Sequence, residues 1–160
     1  MKISISTDYA TQILCYLHDR EDRLYTTTHI SGAIGITYPF CVKLTTQLKK
    51  KGLLHSEQGR NGGYRLGRPA HEISLYDVYQ CIEGEMQISR CFEREDKPCN
   101  HKHTEHCKFR NFLRNLQDDL IIAPMTQMMI SDLTRPDEAR RPSDEKSQGL
   151  QRHYAKTKVS

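Results

Sequence analysis

At 160 residues and 18.6 kDa the chain has room for one ordinary core with a small helical extension, which excludes a pair of full-sized domains. Apolar residues supply only 36% of it and charged residues 28%, which points to a disordered part or to a partner subunit that completes the fold. The apolar stretches run only a few residues and the start, with Lys2 and Asp8, is too polar for a signal-peptide core, so the expectation is a cytoplasmic protein without membrane contact.

Residues 8–19 place Ile13, Leu14 and Leu17 at helical spacing behind Thr7 as the expected N-cap, with Asp8 in the first turn. A short second helix from Thr27 or Thr28 to Ala33 should stop at Gly35. A third should begin after Thr37, tolerate Pro39 in its first turn and close at Gly52. Short helix, tight turn and longer helix form the pattern of a helix-turn-helix, whose second helix enters the DNA major groove. Thr37 and Tyr38 at its start are candidates for base or phosphate contacts, and Lys43, Lys49 and Lys50 for phosphate anchors, while Phe40, Leu44 and Leu48 are expected in the core.

Leu53 to Gln58 reads as a strand, Gly59-Arg60-Asn61-Gly62-Gly63 as a hairpin loop, and Tyr64-Arg65-Leu66 as the returning strand. A helix-turn-helix followed by a basic hairpin is a winged helix, with Arg60 and Asn61 at the tip placed to reach the minor groove. Charge agrees. Between positions 43 and 68 seven Lys and Arg (Lys43, Lys49, Lys50, Lys51, Arg60, Arg65, Arg68) face the single Glu57, as a phosphate-contacting surface requires.

Residues 74–83 predict a fourth helix, capped by Ser74 with Asp77 completing a capping box and Gly84 stopping it. From 85 to 106 no period is sustained, and Cys91, Cys99 and Cys107 follow one another at seven-residue gaps, with His101, His103 and His106 between the last two. A loop this long in a small domain needs another means of ordering, and soft thiolates suit an iron–sulfur cluster or zinc. Zinc held by Cys and His, and a metal-free thiol–disulfide switch, are the alternatives. Cys15, Cys41 and Cys81 fall in predicted helices and read as small core or interface residues.

Phe109, Phe112, Leu113, Leu116 and Leu120 then form a helical seam, and Pro124 is expected to begin a last helix carrying Met125, Met128, Met129 and Leu133. With no second layer in its own chain, that seam points to a homodimer, with packing back on the winged helix as the alternative. Residues 135–160 are almost free of apolar side chains and should be disordered. The expected organisation is therefore a DNA-binding domain at 1–84, a cysteine-rich loop at 85–107, dimerisation helices at 108–134 and a tail at 135–160. The fold class is mainly α, a winged helix-turn-helix with a long C-terminal helix.

Ser6-Thr7-Asp8-Tyr9-Ala10, the wing Gly59 to Leu66, Arg68-Pro69 and Ile73-Ser74-Leu75-Tyr76-Asp77-Val78 resemble the Rrf2 family of bacterial transcriptional regulators over residues 1–134. Thr7-Asp8-Tyr9 is most similar to its nitric-oxide-sensing branch. The resemblance implies a homodimeric winged-helix regulator of a palindromic operator, not an enzyme. It further implies a [2Fe-2S] or [4Fe-4S] cluster on Cys91, Cys99 and Cys107 with Asp8 of the partner subunit as a further ligand. The cysteine spacing is wider than is usual in the family. The rival from another class is a partner-binding regulatory protein in which the cysteines merely hold zinc.

Overall fold

The computed structural model describes residues 3–20, 23–59, 61–89, 92 and 107–134. Arg60, Cys91, Cys99, the three loop histidines and the 135–160 segment lie outside the described residues.

Helix α1 spans Ile5–His18 and begins earlier than its apolar period indicates. Its N-cap is Ser4, in extended backbone, whose hydroxyl accepts from the amides of Ser6 and Thr7 at 3.2 and 3.4 Å. Thr7 is therefore not the cap. It is buried inside the first turn, where its Oγ1 donates to Glu83 Oε1 at 2.6 Å. Helix α2, Thr27–Ile34, is capped by the Thr26 hydroxyl and ends at Gly35, whose φ of 78° is the left-handed conformation that favours glycine. Helix α3, Tyr38–Lys50, follows the turn 35–37 with Pro39 in its first turn, where the missing amide costs nothing.

Strands β1 (Leu54–Glu57) and β2 (Gly63–Leu66) pair antiparallel, from Leu54 opposite Leu66 to Glu57 opposite Gly63. Tyr25 joins this hairpin to the body: its N–H donates to Tyr64 O at 3.0 Å and its carbonyl accepts from Tyr64 N–H at 2.8 Å. After a 3-10 turn at Ala70–Glu72, α4 (Leu75–Glu83) starts with the expected capping box, Ser74 Oγ accepting from Asp77 N–H and Asp77 Oδ2 from Ser74 N–H. Arg68 pairs with the same Asp77 carboxylate at 3.1 Å, tying the exit of the wing to this helix start.

Beyond Cys107 the chain is helical as α5 (Lys108–Gln117), a π-helical turn (Asp118–Ile122) and α6 (Ala123–Gln127). Pro124 thus does not start a separate helix. The path widens just ahead of it, where an ordinary turn would drive its ring into the carbonyl of Leu120. The last helical turn is α7, Ile130–Leu133. It packs back on α1 and the 3-10 turn, with Ile130 fully buried, its N–H donating to Ile73 O at 2.8 Å and Leu75 N–H donating to Met128 O at 2.8 Å. The segment after the seam therefore closes the winged helix, whereas Phe109, Phe112 and Leu120 of the seam itself stay more than 60% exposed.

The core is built from Ile13, Leu14 and Leu17 of α1, Ile30 of α2, Leu44 and Leu48 of α3, then Leu53, Ile73, Val78 and Ile130. The architecture is the mainly helical winged helix that the sequence predicts.

Candidate nucleic-acid interface and metal-ligating loop

The helical period of α3 divides its side chains between core and solvent. Cys41, Leu44, Thr45 and Leu48 face inward, and the Thr45 hydroxyl is satisfied by the Cys41 carbonyl at 3.0 Å. Lys43, Lys49 and Lys50 are exposed. At the helix start Thr37 is exposed and makes no side-chain cap bond, and Tyr38 is 54% exposed. Phe40 is half-buried, edge-on to Tyr9 with ring centroids 5.9 Å apart. Asn61 is exposed at the wing tip, next to Arg60, which is outside the described residues.

Between α3 and the hairpin lies an open cleft of about 330 Å³ that brings Tyr38 and Lys49 together with Gln58, Gly62 and Gly63 of the wing. Thr26, Thr27 and Thr28 at the start of α2 form its other wall. No sequence pattern singles out these threonines or Gln58, because only packing of α2 beside the hairpin puts them there. Hydroxyls, a phenol, an amide and an ammonium form a donor set suited to phosphate oxygens. Glu57, also in the cleft, is neutralised by Arg65 at 3.4 Å.

The metal-ligand candidates are less fully placed. Cys107 is half-buried at the N-cap of α5 and makes no side-chain cap bond. Asp8 is exposed in the first turn of α1. Among the described residues no three His, Cys, Asp or Glu side chains converge on one point, and Cys91 and Cys99 are outside them. Two features nevertheless fit a group with sulfur ligands at Cys107: a soft donor at a helix N-terminus, and Arg110 one turn on, whose Nε is buried without a hydrogen-bond partner.

The segment carrying Asp8 is tied to the end of α4, where the cysteine loop begins. The hydroxyls of Ser4 and Thr7 hold the Glu83 carboxyl below the usual carboxylate range. No local spacing signals this contact between residues 76 positions apart. At the far side, Gln117 of α5 accepts from Ile88 N–H at 3.0 Å, and the Arg114 guanidinium lies 5.7 Å from the centre of the Phe92 ring. The other cysteines are quiet: Cys41 is buried, Cys15 and Cys81 half-buried, and burial pushes the thiols of Cys15 and Cys41 up to about 11 and that of Cys81 in the same direction.

The Rrf2 family model, described as an iron-dependent transcriptional regulator, matches residues 3–136. The chain belongs to the Rrf2 family. This Rrf2 chain is 35% identical over 99 residues to Protein aau3 of Rhizobium meliloti (strain 1021), a match spanning 62% of this chain and 64% of that protein. It is 32% identical over 100 residues to the HTH-type transcriptional regulator NsrR of Shouchella clausii (strain KSM-K16), spanning 62% of this chain and 67% of the relative. The matched part is thus about two thirds of each relative's own length.

Among solved structures, CymR (YrzC), the global cysteine regulator of B. subtilis, aligns with a TM-score of 0.66 at 21% identity over 83% of this chain and 95% of that one. T. potens IscR aligns with a TM-score of 0.63 at 19% identity over 83% and 85%. These likenesses show the fold. The Rrf2 family is one of transcriptional regulators and not of enzymes, as the sequence implies. Among the described residues no helix is long and apolar enough to cross a membrane.

Proposed function

We propose that this Rrf2 chain is a cytoplasmic, homodimeric repressor that binds a palindromic operator through α3 and the wing and senses nitric oxide, redox state or iron. The observation that carries the DNA half is the cleft in which Tyr38 and Lys49 of α3 meet the wing and the threonines of α2. Thr37 and Tyr38 contact base edges or phosphates, Lys43, Lys49 and Lys50 anchor phosphates, and Arg60 and Asn61 enter the minor groove. The exposed Phe109, Phe112 and Leu120 face supports pairing of two copies, which sets the spacing of two recognition helices.

Cys91, Cys99 and Cys107 hold an iron–sulfur cluster, with Asp8 of the partner subunit as the further ligand. The family description, the relative named NsrR and the fit at Cys107 support this assignment. When bound, a cluster with an incomplete thiolate set supplies an iron open to nitric oxide, oxygen or loss. Residues 1–84, 85–107, 108–134 and 135–160 serve as reading head, sensor loop, dimer helices and tail. In the chain itself, the Thr7–Glu83 contact joins the α1 segment carrying Asp8 to the entrance of the sensor loop.

Selection of duplexes from a random pool, followed by salt titration of the winning sequence, tests the first half. Lys49→Ala should weaken binding about equally on all sequences and reduce the salt slope of the dimer by about 2, since it removes one phosphate contact from each protomer. If the chain shows no salt-sensitive, sequence-selective duplex binding, it is a partner-binding protein instead. Anaerobic purification with visible absorption, iron and sulfide analysis tests the second half: a brown protein with matching iron and sulfide is expected, and Cys107→Ser should lose both. A colourless zinc protein would assign the loop to zinc, and a metal-free one to thiol chemistry.

A further inference from the structure

Arg68 is one of the seven basic side chains between positions 43 and 68, yet it stands apart from the DNA cleft. Its guanidinium reaches Asp77 at 3.1 Å, and it lines a separate cleft of about 100 Å³ with Lys51, Leu53, Gln80 and Cys81, which shares no residue with the cleft of Tyr38 and Lys49. The Asp77 carboxylate is fixed from the helix side, since it accepts from the amide and the hydroxyl of Ser74 at 2.9 Å each, at a helix start that favours negative charge. Arg68 is fixed from the wing side. Just before it, Gly67 N–H donates to Leu53 O at 3.0 Å, and a Cβ at Gly67 would collide with the Gly52 carbonyl oxygen, so the exit of the wing is pressed on the turn after α3. Just behind it, Pro69 restricts the Arg68 backbone to extended conformations. The two side chains are 39% and 35% exposed, so the pair contributes little to overall stability. What it fixes is the angle of the hairpin to α3, on which simultaneous entry into a major and an adjacent minor groove depends.

We propose that Arg68 is a positioning residue for DNA binding, which sets the wing against α4 through Asp77 and contacts no phosphate. This rests on the reading that α3 and the wing bind duplex DNA together. Arg65 pairs with Glu57 inside the hairpin, so among the described residues Arg68 with Asp77 is the ion pair that joins the exit of the wing to the body. A strut and a phosphate anchor differ in two ways. An anchor releases counterions when DNA binds, and a strut does not. A carboxylate near DNA opposes binding by its charge, so its removal tightens the complex, whereas removal of one half of a strut weakens it.

The test titrates the full-length chain, as wild type, Arg68→Gln, Asp77→Asn and the double variant, with the duplex selected from the random pool over a range of salt. Asn at position 77 keeps an oxygen that can accept from the Ser74 amide, so the cap of α4 survives. Arg68→Gln should weaken binding roughly 5-fold at an unchanged salt slope, one pair being lost from each protomer. Asp77→Asn should weaken it by a similar factor although it removes a negative charge, and the double variant should bind no more than about 2-fold worse than either single one. A salt slope lower by about 2 in Arg68→Gln, or tighter binding by Asp77→Asn, would overturn the assignment and make Arg68 a phosphate anchor. Wild-type affinity in both single variants, or losses that multiply in the double variant, would overturn it as well. So would a loss that the unfolded fraction, from thermal unfolding of each variant, accounts for in full, which marks a residue of stability alone. If Arg68→Gln does not fold, the sign of the Asp77→Asn effect decides. A wild type that selects no duplex overturns the proposal together with its premise, whereas every other outcome leaves that premise standing.

Discussion

Replacing Leu44 by alanine is expected to lower the free energy of unfolding by roughly 2–5 kcal/mol. Leu44 is fully buried on α3, and α3 packs against α1, α2, α4 and β1, so the vacated space is bounded by several elements that cannot all move in to fill it. Against a total of about 5–15 kcal/mol for a domain of this kind, such a loss is a large fraction. Urea unfolding followed by circular dichroism should show a lower midpoint at unchanged slope. Leu44→Met, which keeps the volume, should cost less than about 1.5 kcal/mol. The neighbouring Lys43 is exposed, so Lys43→Ala should change stability by less than about 0.5 kcal/mol. A Leu44→Ala protein as stable as wild type would mean that α3 is not held through this side chain, and the division of the helix into a core face and a reading face would fail with it.

That division is legible in the amino-acid order alone, because a helix buried on one side writes its period into the chain. The glycine after α2 and the Ser74–Asp77 capping box are legible for a related reason: each is a local interaction between residues within one turn. The start of α1 is harder to read. Ser4, Ser6 and Thr7 are all hydroxyl residues, and the apolar period begins at Tyr9, which favours the latest of them as cap. What draws Thr7 into the helix is Glu83, a partner that no window around residue 7 contains.

Ile130 escapes a pattern-based reading on similar grounds. The helical spacing of this stretch selects Met125, Met128, Met129 and Leu133, yet Met128 and Leu133 are exposed and Ile130 is buried; its place is held by its backbone bond to Ile73 and by the Leu75–Met128 bond, which side-chain patterns do not encode. The site shows the same divide. Tyr38 and Lys49 follow from the motif, but the threonine wall of their cleft exists only because α2 packs beside the hairpin. The orphaned Nε of Arg110 is a fact of burial, invisible in a run of basic and polar residues around it.

The second large effect is expected at Gly63, where the wing meets the body. A Cβ there would lie 2.7 Å from the carbonyl carbon and oxygen of Tyr25 and 2.9 Å from its nitrogen, closer than real side chains come to backbone. Either the hairpin or the backbone at Tyr25 must move. Tyr25 is only 4% exposed, with its ring edge-on to Tyr16 at 5.6 Å, so its backbone is held by the core. The hairpin is the freer partner, and Gly63→Ala should push it outward and break the paired Tyr25–Tyr64 bonds. The cost should be about 1–3 kcal/mol, as for overpacked interiors. Because Gly63 and Gln58 also line the cleft beside Lys49, duplex affinity should fall by more than the unfolded fraction explains. Asn61→Ala, at the exposed tip, is the control: stability should be retained, with any affinity loss limited to a single contact. Thermal unfolding and duplex titration on both variants decide the matter. If Gly63→Ala matches wild type in both, the wing is not fixed to the body at Tyr25, and the geometry proposed for its approach to DNA has no anchor.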